Sequence, residues 1–234
     1  MLEPTLVLGI DTCGPAGSVA LGRLVAEGVE LLGEVELAGR TYSATLVAAV
    51  GDLLEKAGAR LDHLAAIVVV NGPGSFTGVR VGLSVVKGLA EGARIPVVAV
   101  SRLEVLSDKT GVAASALDAH RGEVFLRIAV QGADARELLA GAQELATLAP
   151  APQRIAACDQ GAVALLGAAW PNAAIVQTAP PTAADALRLC APRVAAGEFV
   201  DLAVLDGHYL RRSDAEIFGA EIFGRTAAAE PHRA

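Results

Sequence analysis

The sequence has 234 residues, of which 53% are hydrophobic but only 3% aromatic, and a formal net charge of −7. That length allows one large domain or two small ones, with an interior of Ala, Val, Leu and Ile at close spacing, as suits layered α/β architecture. The acidic balance excludes a large self-sufficient nucleic-acid surface, and Cys13, Cys158 and Cys190 lie too far apart for a CxxC-type disulfide framework or zinc knuckle.

The apolar run Leu6 to Ile10 has no basic leader and stops at Asp11, so it does not read as a signal peptide. No stretch reaches the about 18 uninterrupted strongly apolar residues of a membrane span. A soluble protein of a reducing cytosol is expected, one that would meet any RNA through a partner.

Thr5 to Ile10, Gly17 to Leu21 and Val29 to Leu37 read as three strands of an antiparallel meander. Ser43 then stands as a cap before Leu46, Val47, Val50, Leu53, Leu54 and Ala57, which fall within about 120° at the helical period, and Gly58 follows as a stop. Ile67 to Val70 predicts a strand buried on both faces, Gly72 to Ser75 turns it into a second helix, and Pro96 to Val100 predicts another buried strand. Val112 to Leu117, the turn at Gly122 and a strand over Glu123 to Val130 then echo the start of the chain. A helix near Gln143 to Leu148, a loop over Ala149 to Pro152, a strand at Arg154 to Ala157 and a helix from Thr182 with Asp185 in a capping position complete the pattern.

The segment Gly72-Pro73-Gly74-Ser75-Phe76-Thr77-Gly78-Val79-Arg80 is a glycine-rich strand-to-helix turn. Its backbone N–H groups and helix dipole suit either an anion or a tight structural turn. It lacks the Lys-Ser/Thr ending of a P-loop, and its GxGxxxG spacing departs from the dinucleotide fingerprint.

This segment resembles, residue for residue, the signature of the TsaB (YeaZ) family. Ile10-Asp11-Thr12-Cys13, Ser18-Val19-Ala20-Leu21, Lys87-Gly88-Leu89-Ala90, Ser101 with Leu103-Glu104, Asp118-Ala119-His120-Arg121-Gly122-Glu123-Val124 and Tyr209-Leu210-Arg211 agree with it. The resemblance implies an α/β fold of two RNase H-like lobes, related to actin, sugar kinases and heat-shock ATPases, with a reduced second lobe. Residues 1–103 would form the N-terminal lobe with its dimerisation helices, 104–224 the reduced C-terminal lobe, and 225–234 a disordered tail. The implied role is that of a scaffold for tRNA threonylcarbamoyladenosine formation, with a TsaD-like transferase and a TsaE-like ATPase as partners and a homodimer when alone. No cofactor of its own is implied, although ATP or ADP would fit at a subunit junction. The family's IDTS reads IDTC here, and its His-Ser before the first helix reads Tyr42-Ser43, where Ser43 can still cap.

Asp11 and Thr12 stand where the ATPase relatives place a metal-linked carboxylate and a phosphate hairpin. With Gly74, Ser75 and, in the second lobe, Asp118, they are the candidates for residual nucleotide or phosphate contact; turn capping is the alternative. The histidines, His63, His120, His208 and His232, show no HxxxH or HExxH spacing and read as surface residues, so no metal site is expected. No catalytic residue is assigned. An independent small-molecule kinase or ATPase is the rival reading, and a metallopeptidase the weaker one.

The second helix has a wider apolar arc than one packing surface requires, outside a polar stripe of Arg80, Ser84, Lys87 and Glu91. Gly78 and Gly82, like Gly88 and Gly92, are spaced for close helix approach. Leu46, Val50, Leu53, Gly78, Gly82, Leu83, Val85 and Val86 are therefore the expected partner interface.

Overall fold

A computed structural model describes residues 5–211 apart from 40, 131 and 132. The expected tail over 225–234, His232 and the last part of the expected second lobe lie outside the described residues.

The first sheet has the strand order β3-β2-β1-β4-β5. It is built from β1 (Leu6–Asp11), β2 (Ala16–Val25), β3 (Gly28–Ala38), β4 (Leu64–Val70) and β5 (Val97–Val100). The first three strands pair antiparallel and the last two join parallel, as the meander and the buried apolar runs predict. Every residue of β1 is buried, because helices cover both faces. On one face lie α1 (Tyr42–Lys56) and α2 (Phe76–Ala93), with Leu53 of α1 facing Gly33. On the other lies α6 (Ala183–Ala196), whose Leu187 approaches both Gly9 and Gly22. At Gly9 a Cβ would meet the Ala183 carbonyl, so the bare backbone lets α6 sit close.

The second sheet has the order β10-β9-β6-β7-β8. Its strands are β6 (Ser115–His120), β7 (Glu123–Val130), β8 (Ala133–Gly141), β9 (Arg154–Ala157) and β10 (Ala174–Gln177). The pairing senses repeat those of the first sheet, three antiparallel strands followed by two parallel ones. The echo read around Asp11 and Asp118 is thus a repeated topology. Packed on this sheet are α3 (Arg102–Thr110), α4 (Ala142–Thr147) and α5 (Gln160–Ala169), with separate apolar clusters around α5 and α3.

The structure corrects the domain limits. Ala183, Ala184, Ala186, Leu187, Cys190 and Val194 of α6 belong to the first lobe's core, so the chain returns to that lobe after building the second. A second correction concerns Ser43, which is exposed inside α1 and caps nothing. Thr41 takes the N-cap position without a side-chain capping bond, and Tyr42 is pulled into the core instead. The helices α3 and α5, the strands β8 and β10 and a 3-10 turn over Leu61–His63 are not expected from the sequence. Among the described residues no helix is long and apolar enough to cross a membrane.

Candidate functional site

Asp11 ends β1 with its side chain only 2% exposed. Its Oδ1 accepts the Cys13 N–H at 2.8 Å, and its Oδ2 accepts from Arg102 Nε at 3.2 Å. Arg102 opens α3 and is also buried. Burial opposes the guanidinium charge, but the Asp11 carboxylate beside it more than restores it, and Arg102 is held above its ordinary value. Both Asp11 oxygens are therefore engaged within the chain.

The rest of the strand-end turn is equally self-contained. Thr12 Oγ1 donates to the Gly78 carbonyl at 2.7 Å, the Cys13 thiol to the Val70 carbonyl at 3.1 Å and the Tyr42 hydroxyl to the Gly14 carbonyl at 2.8 Å. Burial, with the Asp11 charge adding to it, pushes the Cys13 thiol well above its usual value and the Tyr42 phenol up to about 12. Both groups stay protonated and act as donors, and the thiol is no nucleophile at neutral pH. The Tyr42 and Cys13 departures thus belong to one buried hydrogen-bonded cluster.

The glycine-rich turn locks onto this cluster. Ser75 N–H donates to the Cys13 carbonyl at 2.7 Å, Ser75 Oγ accepts the Gly78 N–H at 3.3 Å, and a Cβ on Gly74 would strike the Cys13 carbonyl. Two of the turn's N–H donors, those of Ser75 and Gly78, are thus spent on the chain itself. The structure forms a tight strand-to-helix turn here. It brings Asp11, Thr12, Gly74 and Ser75 together, while Asp118 lies in the second lobe with partners of its own. Asp118 accepts the His120 N–H at 2.7 Å and donates its own N–H at 2.9 Å to Asp159, the cap of α5.

The expected interface residues have mixed positions. Leu46, Val50, Leu53, Leu83 and Val86 are buried in the first lobe, and Gly78 and Gly82 face Thr12, against which a Cβ on either would clash. Those two glycines answer a contact within the chain. Val85 is half-buried, in line with Val81 and Leu89 four residues to either side, and all three pack at the margin of the first lobe's core. Val47 of α1 is 55% exposed, and Cβ atoms on Gly51, Gly88 and Gly92 would enter open space.

A cleft of about 400 Å³ separates the lobes, lined among others by Asn71, Ser101, Arg127, Glu137 and His208. Glu137 Oε2 accepts from Ser101 Oγ at 2.6 Å and from His208 Nε2 at 2.8 Å, and Oε1 accepts from Arg127 at 2.8 Å. Burial alone would raise the Glu137 carboxyl, but the His208, Ser101 and Arg127 bonds outweigh it and hold it below its usual value. His208 is thus a partner of a buried carboxylate, a correction to its reading as a plain surface residue. Neither Glu137 nor Arg102 was identified from the sequence, since each sits among other charged residues and no spacing motif joins it to its distant partners. Among the described residues no group of three or more His, Cys, Asp or Glu side chains could hold a metal.

Two lobes with one repeated topology, joined at the buried Asp11–Arg102 pair, define an actin-like, doubly RNase H-like fold. The model for TsaD, tRNA N6-adenosine threonylcarbamoyltransferase, matches residues 35–149. The tRNA threonylcarbamoyladenosine biosynthesis protein TsaB of Escherichia coli K12 is 37% identical over 125 residues, 51% of this chain and 52% of that protein. The chain spans about half the length of the curated TsaB relatives it matches. An uncharacterized Mycobacterium bovis protein, Mb3455c, is 32% identical over 218 residues, 92% of this chain and 96% of the relative. YeaZ from Pseudomonas aeruginosa superposes with a TM-score of 0.68 at 29% identity, covering 88% of this chain and all of that one. The chain belongs to the TsaB/YeaZ family.

Proposed function

We propose that this chain acts in the threonylcarbamoylation of tRNA adenosine as a non-catalytic subunit that docks on a TsaD-like transferase. The observation that carries the non-catalytic reading is the buried Asp11–Arg102 pair. The strand-end carboxylate, which an independent kinase or ATPase of this fold would need for a metal-bound phosphate, is neutralised by a guanidinium from its own chain. Releasing it would leave a buried charge unpaired, which costs several kcal/mol.

The docking surface lies on the α1/α2 pair, where Val47 is exposed, the half-buried Val81, Val85 and Leu89 add apolar area, and Gly51, Gly88 and Gly92 leave the backbone approachable. Glycine inside a helix costs up to about 1 kcal/mol relative to Ala, so glycines with no packing role within the chain fit a contact made with another. The same surface serves self-association when the partner is absent. A TsaE-like ATPase would join the assembled pair, any ATP or ADP would sit at a subunit junction, and tRNA would be met through the complex.

The test is reconstitution with the TsaD-like protein of the same genome, threonylcarbamoyl-adenylate and tRNA. The expected result is co-purification of the two chains and product only when both are present. Product formation by this chain alone would overturn the non-catalytic reading, and failure of the chains to associate would overturn the docking reading.

A further inference from the structure

Beyond α6, the described chain has neither helix nor paired strand, yet it is gripped on both sides of the interlobe cleft. Val200 N–H donates to the Val97 carbonyl at 2.9 Å, anchoring the segment to β5 of the first lobe. Farther on, His208 N–H donates to the Asn71 carbonyl at 2.7 Å and Asn71 Nδ2 to the Asp206 carbonyl at 3.2 Å, tying the segment to the end of β4. The Tyr209 ring stands 4.8 Å from that of Phe76, the first residue of α2, and the Arg80 guanidinium lies 3.8 Å over the same Phe76 ring.

The same few residues also hold the second lobe. An ionised carboxylate only accepts hydrogen bonds, so His208 Nε2 donates to Glu137 on β8. Arg211 donates to the Ala119 carbonyl at 2.7 Å and to the His120 carbonyl at 3.4 Å, and forms an ion pair with Glu123, gripping the turn between β6 and β7. Here the lobes face each other across an open polar cleft rather than through packed apolar side chains, bridged directly by the bond from Ser101 to Glu137.

We propose that residues 206–211 are an interlobe clamp, which fixes the second lobe relative to the first turn of α2 by holding Asn71 and Phe76 on one side and Glu137 and the Ala119–Glu123 turn on the other. Tyr209 and Arg211 are its two jaws, one on each lobe. Loosening either jaw frees the other, because no regular backbone pairing holds the segment in place between them. A segment that merely covered the first lobe would respond locally.

Hydrogen exchange on the full chain separates the two cases. Among the described residues the Arg211 side chain bonds to the second lobe, at Ala119, His120 and Glu123, so Arg211→Ala tests transmission across the cleft. The clamp predicts about fivefold or greater acceleration of exchange both at the Ala119–Glu123 turn and, in the first lobe, over Asn71–Arg80. Tyr209→Ala, whose ring contact is in the first lobe, should accelerate the Ala119–Glu123 turn in return. Core amides of β1 and β4 report whether each variant is folded. If Arg211→Ala proves unfolded, Arg211→Lys, which keeps the charge but loses the fork, carries the same expectation at smaller amplitude. Acceleration confined to the lobe whose contact was removed, in a folded variant, overturns the proposal.

Discussion

Asp11 and Arg102 show how one pairing sets what a site can do. Each is buried and each would be costly alone, since an ion taken out of water loses several kcal/mol of hydration that only a well-placed opposite charge returns. Arg102→Ala should therefore destabilise the protein by about 3–5 kcal/mol, because it strands the Asp11 carboxylate. Asp11→Ala should cost a similar amount, by stranding the guanidinium. The double variant should cost clearly less than the sum, since neither charge is then left unpaired. Urea unfolding of the four proteins measures this cycle, and strict additivity would mean that the pair is not coupled. The pairing was illegible in the sequence: Asp11 was legible as a strand-end residue, but Arg102, in a helix that no expectation covered, carried no motif to name its partner 91 positions away.

Helices α1 and α2 were legible because their apolar periodicity is strong and Gly58 and Ser75 punctuate them. Which side of α2 faces the core was not, because valines and leucines occupy most of its circumference and only tertiary packing separates them. The structure separates them: Leu83 is 6% exposed within the first lobe's core, while Val85 is half-buried at its margin. Leu83→Glu should lower the melting temperature sharply, since it forfeits roughly 1.5–3 kcal/mol of apolar burial and adds the desolvation of a carboxylate. Val85→Glu should leave a folded protein that no longer binds its partner. Circular dichroism melts and pull-downs on both variants check this, and a Val85→Glu protein with undiminished binding would place the interface elsewhere. Other elements were hidden by their own composition. In β8, Ala135-Arg136-Glu137-Leu138-Leu139 is a run of helix formers, and it becomes a strand through pairing with β7, a contact that propensity does not encode.

At the scale of the molecule, the repeated strand order was partly legible from the echo between Asp11 and Asp118, whereas the return of α6 to the first lobe was not. Its Ala-rich face carries no signal for one sheet over the other, and what ties it to the first is the close approach at Gly9, the Ala183 N–H donating to Ser18 Oγ at 2.7 Å and the Ala184 N–H donating to Glu34 Oε1 at 3.2 Å. The two lobes then meet through Val105 of α3, buried in the first lobe's core, and through polar contacts around the cleft, and the polar contacts make the assembly sensitive to acid. Glu137 joins Ser101 of the first lobe, Arg127 of the second and His208 of the terminal segment, and its carboxyl is held below its ordinary value of 4.5. A carboxyl depressed in the folded state binds protons more readily when unfolded, so its contribution is fully present above the unfolded value and is lost as the pH falls through the lower folded one. Glu137→Gln removes that ionisation while keeping the side chain's size. The difference in urea midpoint between the wild-type protein and Glu137→Gln should therefore be largest near neutral pH and should close progressively below about pH 4.5. The comparison cancels the acid sensitivity of the other carboxylates, which both proteins share. A difference that stays constant down to pH 3 would mean that the variant acts through lost packing or altered hydrogen bonding and that the Glu137 charge contributes nothing to holding the lobes together.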